Sequence, residues 1–143
     1  MKKILLTTIV VLGIIGVLLS LFLTITHYTG AGRACPVGEH GIPLCDLVNQ
    51  SSYSEVFGVP IALVAIFVFA FYSIASWLVL KNKWEYKDAV WSMTLVSGFA
   101  VGVAIYLIYV IVTVLQASCI YCYAAHSLSL LIFLLSLVLL RLS

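Results

Sequence analysis

The stretch Pro60 to Leu80, PIALVAIFVFAFYSIASWLVL, contains no Lys, Arg, Asp, Glu or His. A helix rises about 1.5 Å per residue, so about 20 apolar residues span a hydrocarbon layer of about 30 Å. Lipid offers no hydrogen-bond partner to an unpaired backbone group, and the stretch shows no strand-like alternation. We therefore predict that it forms a membrane-spanning helix.

Three further segments have the same character, and the four together predict helices at about 4–26, 59–80, 89–115 and 119–140, with an outer loop over 27–58. The chain is 64% hydrophobic and 8% charged, whereas about a quarter of residues are charged in soluble domains. The expected fold is an all-α membrane protein, a four-transmembrane-helix bundle forming one domain over 1–143. This composition excludes a soluble enzyme, and no basic run or phosphate loop points to nucleic acid.

Basic residues are distributed unequally between the two sides of the predicted bundle. If the four helices alternate in direction, only Arg33 lies on one side, and the other side carries Lys2, Lys3, Lys81, Lys83, Lys87 and Arg141. Short loops rich in Lys and Arg stay in the cytoplasm. The N- and C-termini are therefore expected to be cytoplasmic, and all four cysteines extracytoplasmic.

The outer loop is expected to combine irregular chain with a short interfacial helix. Glycines and prolines interrupt the segment 33–45, whereas the segment 46–55 is expected to be helical, with Asp46 near its start. The sequence Phe57-Gly58-Val59-Pro60 then predicts a break before the next helix.

Two patterns concern helix packing. Gly98 and Gly102 form a G-x-x-x-G motif, which allows two helix backbones to approach closely. The partner is either another helix of the bundle or, at a dimerisation face, a second copy of the chain. The aromatic series Phe67, Phe69 and Phe71 is expected to face lipid and neighbouring helices rather than a binding pocket.

The four cysteines form two pairs, Cys35 with Cys45 in the loop and Cys119 with Cys122 at the start of the last helix. Residues three apart share one helix face, so Cys119 and Cys122 can form a disulfide, with Cys122 about 4.5 Å deeper along the axis. A helix N-terminus stabilises the thiolate, which is the form that exchanges disulfides. The pattern indicates thiol-disulfide chemistry.

Other interpretations of the cysteines fit less well. Tyr123 follows the second cysteine where haem attachment needs His, and Cys35 and Cys45 are too widely spaced for the short knuckle of a zinc site. The remaining alternative is a non-catalytic membrane protein with structural disulfides. However, a disulfide within one helical turn constrains little chain and therefore stabilises little.

The order of these features resembles the prokaryotic branch of the vitamin K epoxide reductase (VKOR) family over nearly the whole chain. The resemblance rests on the loop pair Cys35 and Cys45, Ser51 six residues later, the Phe57-Gly58 break and Cys119-Ile-Tyr-Cys122. It implies a bundle around a quinone, such as ubiquinone or menaquinone, and, without a fused thioredoxin-like domain, a separate thioredoxin-fold (DsbA-like) partner. The implied activity is that of a quinone-dependent thiol-disulfide oxidoreductase supporting disulfide bond formation.

The resemblance also implies a role for each cysteine. Cys35 would face the partner, Cys45 would form a relay disulfide with Cys119, and Cys122 would lie beside the quinone. Ser51 matches a loop serine that supports the thiolate chemistry at the quinone. The disulfide-bond protein B (DsbB) family is an alternative with the same chemistry, but its C-x-x-C lies in the earlier loop.

Two positions differ from the vertebrate members of the family, which carry Tyr and Asn where this chain has His126 and Ser54. Vitamin K epoxide reduction is therefore an alternative to quinone reduction rather than the main expectation. Among the predicted spans, His126 is the only Lys, Arg, Asp, Glu or His, and it lies one turn deeper than Cys122 on the same face. We expect His126 to hydrogen-bond a quinone oxygen or pass a proton to it, with Ser54 also at the quinone. The other interpretation is a neutral histidine bonded to a neighbouring helix.

Overall fold

The computed structural model describes residues 1–29, 41, 52–115 and 120–143. Within these residues, four helices are long and apolar enough to cross a membrane. They are α1 (Lys2–Thr29), α2 (Ile61–Leu80), α3 (Tyr86–Val110) and α4 (Ile120–Arg141). The predicted fold class, an all-α membrane protein built as a four-transmembrane-helix bundle, is confirmed.

α1 and α3 extend beyond the apolar stretches that predicted them, whereas α2 begins two residues later than predicted, because Val59 and Pro60 belong to strand β2. α1 continues to Thr29, so His27 is helical rather than part of the outer loop. α3 begins at Tyr86 and carries Asp88 in its first turn, where a carboxylate interacts favourably with the helix dipole. At its other end α3 continues as a π-helical turn over Ile111–Leu115. Hydropathy marks the part of a helix that lies in lipid, whereas helix geometry continues until the backbone turns.

The connection between α2 and α3 is a tight reversal. Asn82 has a positive φ of 57°, and the N–H of Lys83 donates to the carbonyl of Leu78 at 2.9 Å. This pattern of a left-handed residue followed by a bond back to the last turn is a common helix end. It brings the start of α3 beside the N-terminus of α1, because Lys2 and Lys3 line one small pocket together with Asn82 and Tyr86. We call this the basic end of the bundle.

A short hairpin precedes α2 at the opposite end. Strands β1 (Glu55–Val56) and β2 (Val59–Pro60) pair antiparallel, and the two-residue turn between them has positive φ at Phe57 (53°) and Gly58 (79°). Such turns match the twist of paired strands, and glycine adopts positive φ without a Cβ penalty. The predicted break before α2 therefore takes the form of a hairpin.

The interfacial helix predicted over 46–55 falls partly outside the described residues, which resume at Ser52. Its described end is a 3₁₀ turn, Ser52–Ser54, and Glu55 already belongs to a strand. The difference has a local cause, because pairing of Glu55 with Pro60 across the Phe57-Gly58 turn gives the backbone an extended conformation that a continued helix would not allow.

α1 and α2 approach each other closely at two glycines of α1. A Cβ atom added at Gly16 would overlap the Phe69 ring, and one added at Gly13 would overlap Ser73 Oγ. The Ser73 hydroxyl donates a hydrogen bond to the Val10 carbonyl at 3.0 Å, which ties the two helices together. Small residues at Gly13 and Gly16 therefore let α2 pack against the α1 backbone.

The predicted packing role of Gly98 and Gly102 within the bundle is wrong. A Cβ at Gly98 would make an ordinary contact with Phe133 at 3.5 Å, and a Cβ at Gly102 would meet nothing within 4 Å. The spacing of a G-x-x-x-G motif puts two glycines on one face but does not determine what lies opposite that face. The dimerisation face stays a prediction.

The helices pack as two pairs, α1 with α2 and α3 with α4, and α1 also contacts α4. α2 and α3 touch each other over only a short part of their length. The core lies towards the basic end, where the fully buried side chains include Ile9, Tyr72, Met93, Ile132 and Leu139. Towards the opposite end the two pairs separate and leave a cavity.

Candidate functional site

An apolar cavity of about 190 Å³ lies between the helix pairs, in the half of the bundle away from the basic end. Its walls are mainly Val64, Val68 and Phe69 of α2 and Val96, Phe99 and Val103 of α3. Apolar cavities of about 150 Å³ in other proteins stay dry and take up benzene. The cavity therefore has room for one aromatic ring.

The cavity reaches the lipid-facing surface between α2 and α3. Val64 and Phe99 line it, yet their side chains are 46% and 77% exposed on the outside of the bundle. This opening follows from the sparse contact between the two helices.

The polar side chains of the cavity come mostly from one face of α4. Cys122, His126 and Ser129 follow the i, i+4, i+7 spacing of a helix face, and all three line the cavity. Ser20 of α1 adds a hydroxyl from a second helix. A small polar set in an otherwise apolar pocket is the usual composition of a site that binds and orients a small molecule.

Cys122 is disulfide-bonded, and its partner lies outside the described residues. Three other predicted site cysteines, Cys35, Cys45 and Cys119, lie outside the described residues too, and so does Ser51. Their pairing and roles therefore stay predictions. Among the described residues, the sulfur that borders the cavity is that of Cys122.

The imidazole of His126 forms no hydrogen bond within the part of the chain that the structure describes. It borders the cavity beside Ala125 and Ser129. The alternative prediction, a histidine bonded to a neighbouring helix, therefore has no partner in the described bundle. The His126 imidazole can therefore donate a hydrogen bond to a molecule in the cavity or accept one from it.

The residues on either side of the hairpin border the cavity. Tyr53, which precedes it, and Ile61, which follows it, both line the cavity. Ser54 also lies in the 3₁₀ turn, but its side chain is outside the described part of the structure. His27 of α1 holds the hairpin through a contact of 2.8 Å between its Nε2 and Oε1 of Glu55.

The cavity residues that the sequence prediction missed include Ser20, Tyr53, Phe69 and Ser129. Ser129 had a usable signal, because it lies seven residues after Cys122 and three after His126 on the predicted face. Phe69 was assigned to lipid and neighbouring helices. It does pack on α1, but its ring also forms part of the cavity wall, whereas Phe67 is 69% exposed to the outside.

The sequence model of the vitamin K epoxide reductase family matches residues 7–137 of the 143 in the chain. The match includes most or all of each of the four helices, the hairpin, both predicted cysteine pairs and His126. Members of this family are membrane oxidoreductases that act on quinones and disulfides. With four apolar helices long enough to span a bilayer, the chain is a multi-pass membrane protein. It belongs to the vitamin K epoxide reductase family.

Proposed function

We propose that the chain is a membrane thiol:quinone oxidoreductase that oxidises the dithiol of a thioredoxin-fold protein and so supports disulfide bond formation. The observation that carries this proposal is the position of the disulfide-bonded Cys122 and of His126 on the wall of one apolar cavity. The cavity is open to lipid, which is where the oxidant of such a reaction is dissolved.

The residues of the cavity fit a quinone. Its apolar walls accommodate a ring, and its opening between α2 and α3 provides space for an isoprenoid tail. The polar groups at its wall can hold the ring oxygens, because His126 forms no hydrogen bond among the described residues. A quinone bound there accepts two electrons and two protons and leaves as the quinol.

The chain's own residues supply the electrons and direct the protons. The dithiol of Cys119 and Cys122 closes to a disulfide, which releases two electrons and two protons at the cavity wall, beside Cys122. His126, about 6 Å deeper along the helix, orients an oxygen and passes a proton to it. The Cys35 and Cys45 dithiol then reduces the C-x-x-C through a Cys45–Cys119 bond, and the partner's dithiol restores the loop pair.

The direction of the chain in the membrane is part of the proposal. Six of the seven basic residues in the sequence lie at or near the ends of helices that meet at the basic end, which we place in the cytoplasm. Cys122 lies at the opposite end, in the compartment where disulfides form and persist. The thioredoxin-fold partner, which we expect to be a separate chain, therefore acts outside the cytoplasm.

The test is anaerobic quinone reduction by the purified full chain, supplied with a reduced thioredoxin-fold donor. We expect one quinone to be reduced for every two thiols lost. Replacing Cys122 by Ser should abolish turnover and trap a Cys45–Cys119 disulfide, which peptide mass spectrometry without reductant detects. Thiol loss that does not depend on quinone contradicts the proposal. Disulfides that neither mild reductant nor the donor reduces also contradict it, because they would be purely structural.

A further inference from the structure

The Ser20 side chain carries a buried hydroxyl that forms no hydrogen bond within the described bundle. The residue is 1% exposed, and its Oγ has no hydrogen-bond partner among the described residues. Buried polar groups in proteins are nearly always paired, so each exception calls for an explanation. Ser20 is one of the residues that line the apolar cavity.

Hydroxyls elsewhere in the helices show how Ser20 differs. Thr24, one turn away in α1, donates to the Ser20 carbonyl at 2.8 Å, and Ser127 of α4 donates to the Tyr123 carbonyl at 2.8 Å. Such bonds to the preceding turn are the ordinary solution for Ser and Thr in apolar helices. The Ser20 hydroxyl makes no such bond among the described residues, and Ser20 is one of the residues that line the cavity.

Ser20 and His126 lie within about one helical turn of each other in depth. The rings of Phe22 in α1 and Tyr121 in α4 are in contact, with centroids 4.8 Å apart, and this contact sets a common level for the two helices. From that level towards the basic end, Ser20 lies two residues away, or about 3 Å, and His126 five residues away, or about 7.5 Å. Side chains lean towards the N-terminus of their own helix, so those of Ser20 and His126 lean towards each other.

Gly16 explains why the cavity is not filled by the Phe69 ring at the depth of Ser20. It lies one turn from Ser20 on the buried face of α1, and the Phe69 ring occupies the space that its missing side chain leaves. The ring is thereby drawn against α1, below Ser20, and forms part of the cavity wall. The Phe69 ring therefore forms a wall of the cavity that Ser20 also lines, and it does not fill that cavity.

We propose that the Ser20 hydroxyl donates a hydrogen bond to one oxygen of a quinone in the cavity, from a different helix than His126. Two donors on different helices orient a planar ring more strictly than one, because they restrict its rotation. This inference rests on the proposed function and adds to it a binding residue in α1, outside the cysteine loop and the C-x-x-C helix.

The test measures quinone binding rather than turnover. Oxidised full-length protein in phosphatidylcholine nanodiscs, with no thiol donor, is titrated with ubiquinone-1, and the Kd is taken from the ligand-induced rise in Tm. We expect Ser20→Ala to weaken binding about 3- to 10-fold, the range for one hydrogen bond. Ubiquinone-1 labelled with ¹³C at one carbonyl or the other allows the two carbonyl bands to be told apart in infrared spectra. One of the two bands should lie at higher frequency in the Ser20→Ala variant, because that carbonyl has lost a hydrogen bond.

Ser136→Ala is the matched control. Ser136 is also fully buried with an unpartnered hydroxyl, but it does not line the cavity. We expect it to change neither the Kd nor the carbonyl bands, and both variants should keep the ligand-free Tm or raise it. If the unsubstituted protein binds ubiquinone-1 and Ser20→Ala binds it equally, with unchanged carbonyl bands, the Ser20 assignment is wrong while the proposed function stands. If the unsubstituted protein binds no quinone, both are overturned.

Discussion

The Nε2 atom of His27 lies 2.8 Å from Oε1 of Glu55, and this contact joins the last turn of α1 to the first strand of the hairpin. The His27 side chain is only 6% exposed, whereas that of Glu55 is 39% exposed. Because Tyr53 and Ile61 on either side of the hairpin line the cavity, we expect the contact to hold that end of the cavity in place.

Replacing Glu55 by Ala should loosen the hairpin without unfolding the bundle. A partly exposed pair of this kind is worth about 0–1 kcal/mol, so the Tm should fall by no more than about 4 °C. Hydrogen exchange of the peptide covering 52–60 should become faster, and quinone affinity should fall by a few fold. Glu85→Ala, at an exposed position near the basic end, is the control and should leave both unchanged. Unchanged exchange at 52–60 would show that the contact does not hold the hairpin.

Replacing Gly16 by Ala should push the Phe69 ring towards the cavity, because the new Cβ would overlap it. Overpacking of this kind costs about 1–3 kcal/mol, so we expect a lower Tm and weaker quinone binding. Adding Phe69→Leu to the Gly16→Ala variant should recover part of the lost stability.

Gly102→Ala is the control for the Gly16 variant, since the added Cβ would meet nothing within 4 Å. Its Tm and quinone affinity should stay at the values of the unsubstituted protein, or the Tm should rise slightly. A Gly16→Ala protein that is equally stable and binds equally well would mean that α1 and α2 can separate at no cost.

Replacing Tyr72 by Phe should leave stability unchanged or increase it. The Tyr72 side chain is fully buried, and its hydroxyl has no partner among the described residues. An unpaired buried polar group costs about 1–3 kcal/mol, which the substitution removes while keeping the ring. Thermal unfolding in detergent measures the effect.

Tyr86→Phe is the matched comparison, because the Tyr86 hydroxyl donates to the Leu139 carbonyl at 2.7 Å. Its loss should lower stability by about 0.5–1.5 kcal/mol. If Tyr72→Phe destabilises the protein as much as Tyr86→Phe does, a bound water or another partner must satisfy the Tyr72 hydroxyl.

Replacing His126 by Phe should leave the stability of the protein nearly unchanged and lower its rate of quinone reduction. The imidazole bonds nothing in the described bundle, so the Tm should change by no more than about 4 °C, roughly 1 kcal/mol. Quinone reduction should fall about 10²- to 10⁴-fold if the histidine transfers a proton. His126→Gln keeps a hydrogen-bond donor and should retain quinone binding while turnover falls. Full turnover in both variants would assign the proton transfer to another group.

Local features of the sequence were sufficient to predict the helices and the face of α4 that borders the cavity. Apolar stretches of membrane-spanning length predicted all four helices, because in lipid each backbone must pair its own polar groups. The face shared by Cys122 and His126 also followed from spacing along one helix, and both residues line the cavity. Helix ends were less accurate, since His27 lies beyond the apolar run but still within α1.

What the sequence by itself determined was therefore the set of spans, their charge asymmetry and the one face of α4 that carries the sulfur and the imidazole. Only the tertiary structure decided that Gly13 and Gly16, not Gly98 and Gly102, form the close helix contact, and that Ser20 reaches the cavity. The physical reason is that lipid and a neighbouring helix are equally apolar. Hydropathy cannot tell which face of a membrane helix meets protein, and packing between helices makes that choice.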